Sequence, residues 1–145
     1  MLRRLTAWLD PFESPGGMLT TSDQAQADRL RRTRQRWLDA VGQCAVAERH
    51  LCQQTATAAR LEAQARQAVL AGRDDLALAA LARLHTLRPR VATLTATRAA
   101  LAQRAATLQH LGTEQQAQLS RFRRIRPLIQ AAWESDGRHT SRPAP

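Results

Sequence analysis

Leucines recur every seven residues at Leu87, Leu94, Leu101 and Leu108, and Leu84 and Val91 fall on the adjacent seam positions. This is the seam of a coiled coil, because two turns of helix take about seven residues. An earlier stretch carries a matching seam at Leu30, Trp37, Val41, Cys44, Leu51, Ala58, Ala65 and Val69, interrupted by Glu48, Thr55 and Glu62. Between the two lies Gly72-Arg73-Asp74-Asp75. Gly72 suits the left-handed conformation that ends a helix, Asp74 offers a cap for the next helix, and Asp75 favours its positive dipole end. So short a link between helices makes them antiparallel neighbours. The pattern therefore predicts an all-α fold: a long antiparallel coiled-coil hairpin over residues 23–111, starting at Ser22 or Asp23, with its tip near 72–75.

Both sides of the hairpin carry shorter segments. In residues 1–10, Leu2, Leu5, Trp8 and Leu9 share one helical face and Arg3 and Arg4 lie off it, which predicts a short amphipathic helix. Residues 11–22 contain Pro11 and Ser14-Pro15-Gly16-Gly17 and read as a flexible linker. Gly112 predicts the end of the second helix, and Thr113 with Gln116 matches a capping box for a third helix over 113–134. That helix carries Leu119, Phe122, Ile125, Leu128, Ile129 and Trp133, with a basic cluster at Arg121, Arg123, Arg124 and Arg126. Pro89 predicts a kink within the second helix, and Pro127 a bend or split of the third. The polar residues 135–145 read as a disordered tail.

Composition agrees with helices packed closely rather than around a thick core. Aromatic residues make up 3% of the chain and Tyr is absent. Its apolar content is largely Ala and Leu, the strongest apolar helix formers. The charge is lopsided, with 22 basic residues, all of them Arg, against 12 acidic ones, for a net +10. Such a surface is drawn to anionic lipid, nucleic acid or an acidic protein partner, and the sign of the charge alone does not choose among them. The densest basic patch is Arg29, Arg31, Arg32, Arg34 and Arg36. Few aromatic residues stand near it, which disfavours recognition of single-stranded nucleic acid and leaves nonspecific binding to duplex phosphates open.

The residue pattern offers little for catalysis. His50, His85, His110 and His139 are scattered, and none is spaced with a second His or Cys as metal ligands are. Gly16-Gly17 lacks the context of a phosphate loop, and Asp74-Asp75 reads as a helix start rather than an acid pair. No enzyme, cofactor or metal is expected. Cys44 and Cys52 lie eight apart on one helix, too far to bridge, and read as reduced core residues of a cytosolic protein. For residues 1–10 two readings stand: an anchor at an anionic membrane surface, or a short helix docked on its own bundle.

Residues 65–81, Ala-Arg-Gln-Ala-Val-Leu-Ala-Gly-Arg-Asp-Asp-Leu-Ala-Leu-Ala-Ala-Leu, resemble the hairpin tip of the PspA (phage-shock-protein A) family, bacterial relatives of the ESCRT-III membrane-remodelling proteins. The likeness is strongest at Ala65, Ala68, Leu70, Gly72, Arg73, Asp75, Leu76, Ala77, Ala80 and Leu81, and looser over residues 50–110. The resemblance implies an amphipathic N-terminal helix at a membrane and hairpins that polymerise there under envelope stress. On that reading Leu2, Arg3, Arg4, Leu5, Trp8 and Leu9 bind the bilayer, and Leu87, Leu94, Leu101 and Leu108 form a self-association seam. The protein would be peripheral at the inner face of the cell membrane, as a homo-oligomer. Family members are usually longer, with further helices that complete the polymer contacts. Two other likenesses compete. One is a two-helix stalk or adaptor of a type III secretion or flagellar export apparatus. The other is one tetratricopeptide repeat at Gly72, Ala77, Leu81, Leu84 and Pro89, for which no second copy recurs.

Overall fold

The computed structural model describes the backbone of residues 15–140 and the side chains of residues 20–138. Two helices account for it, α1 (Pro15–Leu70) and α2 (Asp74–Thr140), joined by Ala71, Gly72 and Arg73. The predicted all-helical hairpin is present. The predicted segment over residues 1–10, with Leu2, Arg3, Arg4, Leu5, Trp8 and Leu9, lies outside the described residues.

The turn closes as a Schellman motif. Gly72 has φ +69° and is the single described residue with positive φ. The Arg73 amide donates to the Ala68 carbonyl at 2.8 Å and the Gly72 amide to the Val69 carbonyl at 3.1 Å, so the last carbonyls of α1 are satisfied. One expectation is corrected here. The Ala77 amide donates to the Arg73 carbonyl at 3.1 Å, so Arg73 is the N-cap of α2 and Asp74 is already its first helical residue. Asp74 and Asp75 both sit in the first turn, where their charge opposes the positive end of the helix dipole.

Two compact units divide the pair. The terminal unit comprises the described parts of Met1–Gln35 and Gln109–Pro145, and the tip unit is Arg36–Leu108. Within each, α1 and α2 run antiparallel, since rising numbers on one helix meet falling numbers on the other. In the terminal unit Asp23 meets Arg123 and Arg34 meets Gln116, and in the tip unit Glu48 meets Arg98 and Glu62 meets Arg88.

A three-four spacing runs through most of the buried and half-buried positions, with Ser22, Ala27, Glu62, Ser120 and Gln130 half-buried beside it. On α1 it runs through Asp23, Gln26, Leu30, Thr33, Trp37, Ala40, Cys44, Ala47, Leu51, Gln54, Ala58, Leu61, Ala65 and Ala68. The expected line Leu30, Trp37, Cys44, Leu51, Ala58 and Ala65 is thus present. Val41 and Val69 are not seam residues and stand exposed, and small residues such as Ala40 and Ala47 take the second line instead. Glu48 and Thr55 are exposed beside the seam rather than breaks in it. Cys44 is half-buried on the seam, while Cys52 is exposed, contrary to its reading as a core residue.

The same spacing removes the predicted third helix. On α2 the seam runs Ala77, Ala80, Leu84, Leu87, Val91, Leu94, then Leu101, Ala105, Leu108, Gly112, Gln115, Leu119, Phe122, Arg126 and Ile129 without a change of phase. Gly112 is a helical seam residue and not a C-cap. Thr113 donates to the Gln109 carbonyl at 3.0 Å, the i−4 back-bond of a mid-helix threonine, so no capping box forms. The helix also continues through Pro89 and Pro127, and includes residues 135–140 of the expected tail, just as α1 includes 15–22 of the expected linker. Arg98 holds its seam position by leading its guanidinium out to Glu48 Oε1 at 3.3 Å.

The two glycines should therefore respond oppositely to alanine. At Gly112 an added Cβ would meet Thr33 Cγ2 at 3.8 Å, an ordinary contact, and helix propensity favours Ala by about 0.5–1 kcal/mol. At Gly72 the left-handed backbone costs an L-residue about 1–2 kcal/mol. Urea unfolding should show Gly112→Ala stabilised and Gly72→Ala destabilised. Destabilisation by Gly112→Ala would mean that α2 ends there.

Candidate interaction surfaces

The tip unit is built on Ala and Leu. Ala40, Ala47, Ala65, Ala77, Ala80, Leu84 and Leu87 are buried, so the helices approach closely over small side chains. The leucines expected to drive self-association are engaged here. Leu87 is buried and Leu94, Leu101 and Leu108 are half-buried within the unit itself, which leaves little of that stripe for a second copy. Apolar surface remains around the turn instead. Leu70 is 88% exposed and Leu78 69%, and Val69, Leu76 and Leu81 are also exposed. An apolar groove between the helices is lined by Ala65, Arg66, Val69, Leu70 and Leu81. Of the turn residues singled out in the sequence, Gly72, Arg73, Asp74 and Asp75 are all exposed, and Arg73 Nε lies 3.5 Å from Asp75 Oδ1. Sequence reading missed this exposed apolar surface because it assigned Val69 to the seam.

The terminal unit has a different seam. Leu30, Thr33 and Leu119 are buried, and the remaining seam positions are largely polar. Asp23, with a side chain 17% exposed, receives Arg123 Nε at 2.9 Å and has Arg126 Nη1 at 3.7 Å. The Oε1 atoms of Gln26 and Gln115 are buried without a hydrogen-bond partner. An unpaired buried amide oxygen forfeits its hydration without return.

This unit also brings together arginines far apart in sequence. Arg29, Arg31, Arg32 and Arg34 of α1 belong to it, with Arg121, Arg123, Arg124 and Arg126 of α2. All are exposed except Arg126, which is half-buried. Arg31 pairs with Asp28, and Arg34 Nη2 donates to Gln116 Oε1 at 3.0 Å. Arg29, Arg32, Arg121 and Arg124 have no ion pair among the described residues. Arg36, the last of the predicted patch, belongs to the tip unit and is exposed. The sequence showed each cluster separately. Their union depends on α2 continuing past Gly112 along α1, which the expected third helix obscured.

Among the described residues no group of three or more His, Cys, Asp or Glu is placed to hold a metal, and no helix is long and apolar enough to cross a membrane. No family model matches the chain, and no curated protein is similar to it.

The polar seam yields a stability prediction. Gln115→Leu replaces a half-buried side chain whose Oε1 is buried and unpaired by an apolar one at a heptad position and should stabilise the protein by about 1 kcal/mol. Thermal unfolding followed by circular dichroism measures it, and a lower Tm would show that the amide makes a bond the protein needs.

Proposed function

We propose that this is a non-catalytic, membrane-associated structural or regulatory protein of PspA-like type, which binds an anionic membrane surface and self-assembles. The observation that supports this most is the presence of two arginine clusters, one from each helix, in the terminal unit. Each exposed guanidinium near an anionic surface adds attraction of about 1 kcal/mol, screened within a Debye length of about 8 Å at physiological salt. Residues 1–10 supply the anchor in this reading. Leu2, Leu5, Trp8 and Leu9 enter the boundary between headgroups and acyl chains, while Arg3 and Arg4 meet phosphate. So short an anchor is weak alone, and copies joined in an oligomer amplify it by avidity. With the leucine seam occupied within the chain, the exposed residues Val69, Leu70, Leu78 and Leu81 offer an apolar surface for assembly. The protein then works at the inner face of the cell membrane.

Co-sedimentation of the full chain with vesicles tests this. The expected result is binding to phosphatidylglycerol-containing vesicles, little binding to pure phosphatidylcholine, and loss of most binding in Leu5→Ser/Trp8→Ser, with binding to duplex DNA almost unchanged. Electron microscopy of the bound samples should show rods or rings. A small, discrete species that ignores both vesicle types contradicts the proposal and favours a coiled-coil adaptor of a secretion apparatus.

A further inference from the structure

The flanks of the terminal unit differ in chemistry. Positions just after the second seam line (Thr33, Gln115 and Phe122) carry Arg34, Gln116 and Arg123, and the contacts Arg34–Gln116 and Asp23–Arg123 lie there. In an antiparallel pair, positions just before the first seam line fall on the opposite flank. Those positions are Arg29 on α1, before Leu30, and Leu111, Gln118 and Ile125 on α2, before Gly112, Leu119 and Arg126. One step further outward on this flank lie Arg32, Arg121 and Leu128.

Three large apolar side chains of the unit thus share one flank. Leu111 is 41% exposed, Ile125 49% and Leu128 69%. Arginines stand between and beside them, at Arg29, Arg32 and Arg121, with Arg124 at the outer edge. The acid on this flank among the described residues, Glu114, has its Oε1 3.2 Å from His110 Nε2. The opposite flank carries Arg31, Arg34 and Arg123 among Gln24, Ala27, Thr113, Gln116, Ser120 and Gln130, without a large aliphatic side chain.

We infer that the flank formed by Arg29, Arg32, Leu111, Arg121, Ile125 and Leu128 is itself a bilayer-binding face that lays the terminal unit flat on an anionic membrane. The chemistry selects the occupant. Arginine stems pack beside aliphatic groups while their heads bind phosphate, an arrangement suited to the zone between headgroups and acyl chains. Duplex DNA would match the charge but leave Ile125 and Leu128 in water, since phosphate contacts alone carry such binding. The inference rests on the membrane reading above and shares its arginines, but it adds the apolar residues Leu111, Ile125 and Leu128, and it makes residues 1–10 one of two insertion points.

The test uses the full chain with phosphatidylglycerol/phosphatidylcholine vesicles. Ile125→Ser/Leu128→Ser alters two exposed side chains, so helicity by circular dichroism should be unchanged, and partitioning should weaken about ten-fold or more. A polarity-sensitive fluorophore, placed through Gln118→Cys in a chain whose two native cysteines are replaced by Ser, should shift to the blue on binding. The same probe at Thr113→Cys on the other flank should not. If wild type binds, Leu5→Ser/Trp8→Ser loses binding, but Ile125→Ser/Leu128→Ser binds as wild type does, this inference falls while the anchor reading stands. A blue shift at Thr113→Cys alone also overturns it. If wild type does not bind anionic vesicles, both readings fall.

Discussion

The protein depends on a seam whose phase does not change. Two helices can bury only a single stripe of each against the other, so every position in the three-four register must tolerate close contact. Along α2 that register passes from Leu108 through Gly112 and Gln115 to Leu119 and Phe122. Gly112 is the weakest helix former in the run, yet at a seam position its small size admits Thr33, with room for one more carbon at 3.8 Å. Local propensity argues for a break at Gly112, and packing against α1 overrides it. Because α2 continues, the arginines of its last third belong to the same unit as Arg29–Arg34.

The two units use the register differently. The tip unit fills it largely with Ala and Leu, which let the helices approach closely. The terminal unit fills it with Asp23, Gln26, Thr33, Gln115 and Arg126, which recover less apolar burial and leave two amide oxygens unpaired. A seam this polar is less favourable than a leucine zipper of the same length. It also leaves Leu111, Ile125 and Leu128 outside the seam, where a coiled coil selected for stability alone would carry polar residues. Stability forgone inside and apolar area exposed outside both suit a unit that packs against something besides its own partner helix.

Much of the fold was legible in the sequence, for definite reasons. The leucine repeat from Leu87 to Leu108 and the Gly72 turn are strong signals. Leu at seven-residue spacing marks a stripe that a helix buries, and Gly between two helical runs marks the left-handed position where one of them ends. The second seam line of α1 was hidden because Thr33, Ala40, Ala47 and Gln54 are less apolar than exposed Val41 and Val69, and hydrophobicity alone ranks them the wrong way. The third helix was misread from two local rules, Gly as terminator and Thr113 with Gln116 as capping box. Continuing the heptad from Leu101 and Leu108 to Gln115, Phe122 and Ile129 would have predicted one helix. The basic patch on α1 was visible, but its partner cluster required that correction first, and the apolar flank required knowing which residues face α1.

The most direct measurement asks whether the last third of α2 packs on α1 of the same chain, since the arginine assembly and the apolar flank both require it. Thr33→Cys with Gly112→Cys, in a chain whose native cysteines are replaced by Ser, puts two thiols on facing seam positions. A Cβ at position 112 lies 3.8 Å from Thr33 Cγ2, so the two positions stand in van der Waals contact across the seam. Mild oxidation should give a cross-linked monomer of altered mobility on a non-reducing gel. A chain that stays uncross-linked, or cross-links only between molecules, would show that residues 109–140 do not fold back along their own α1.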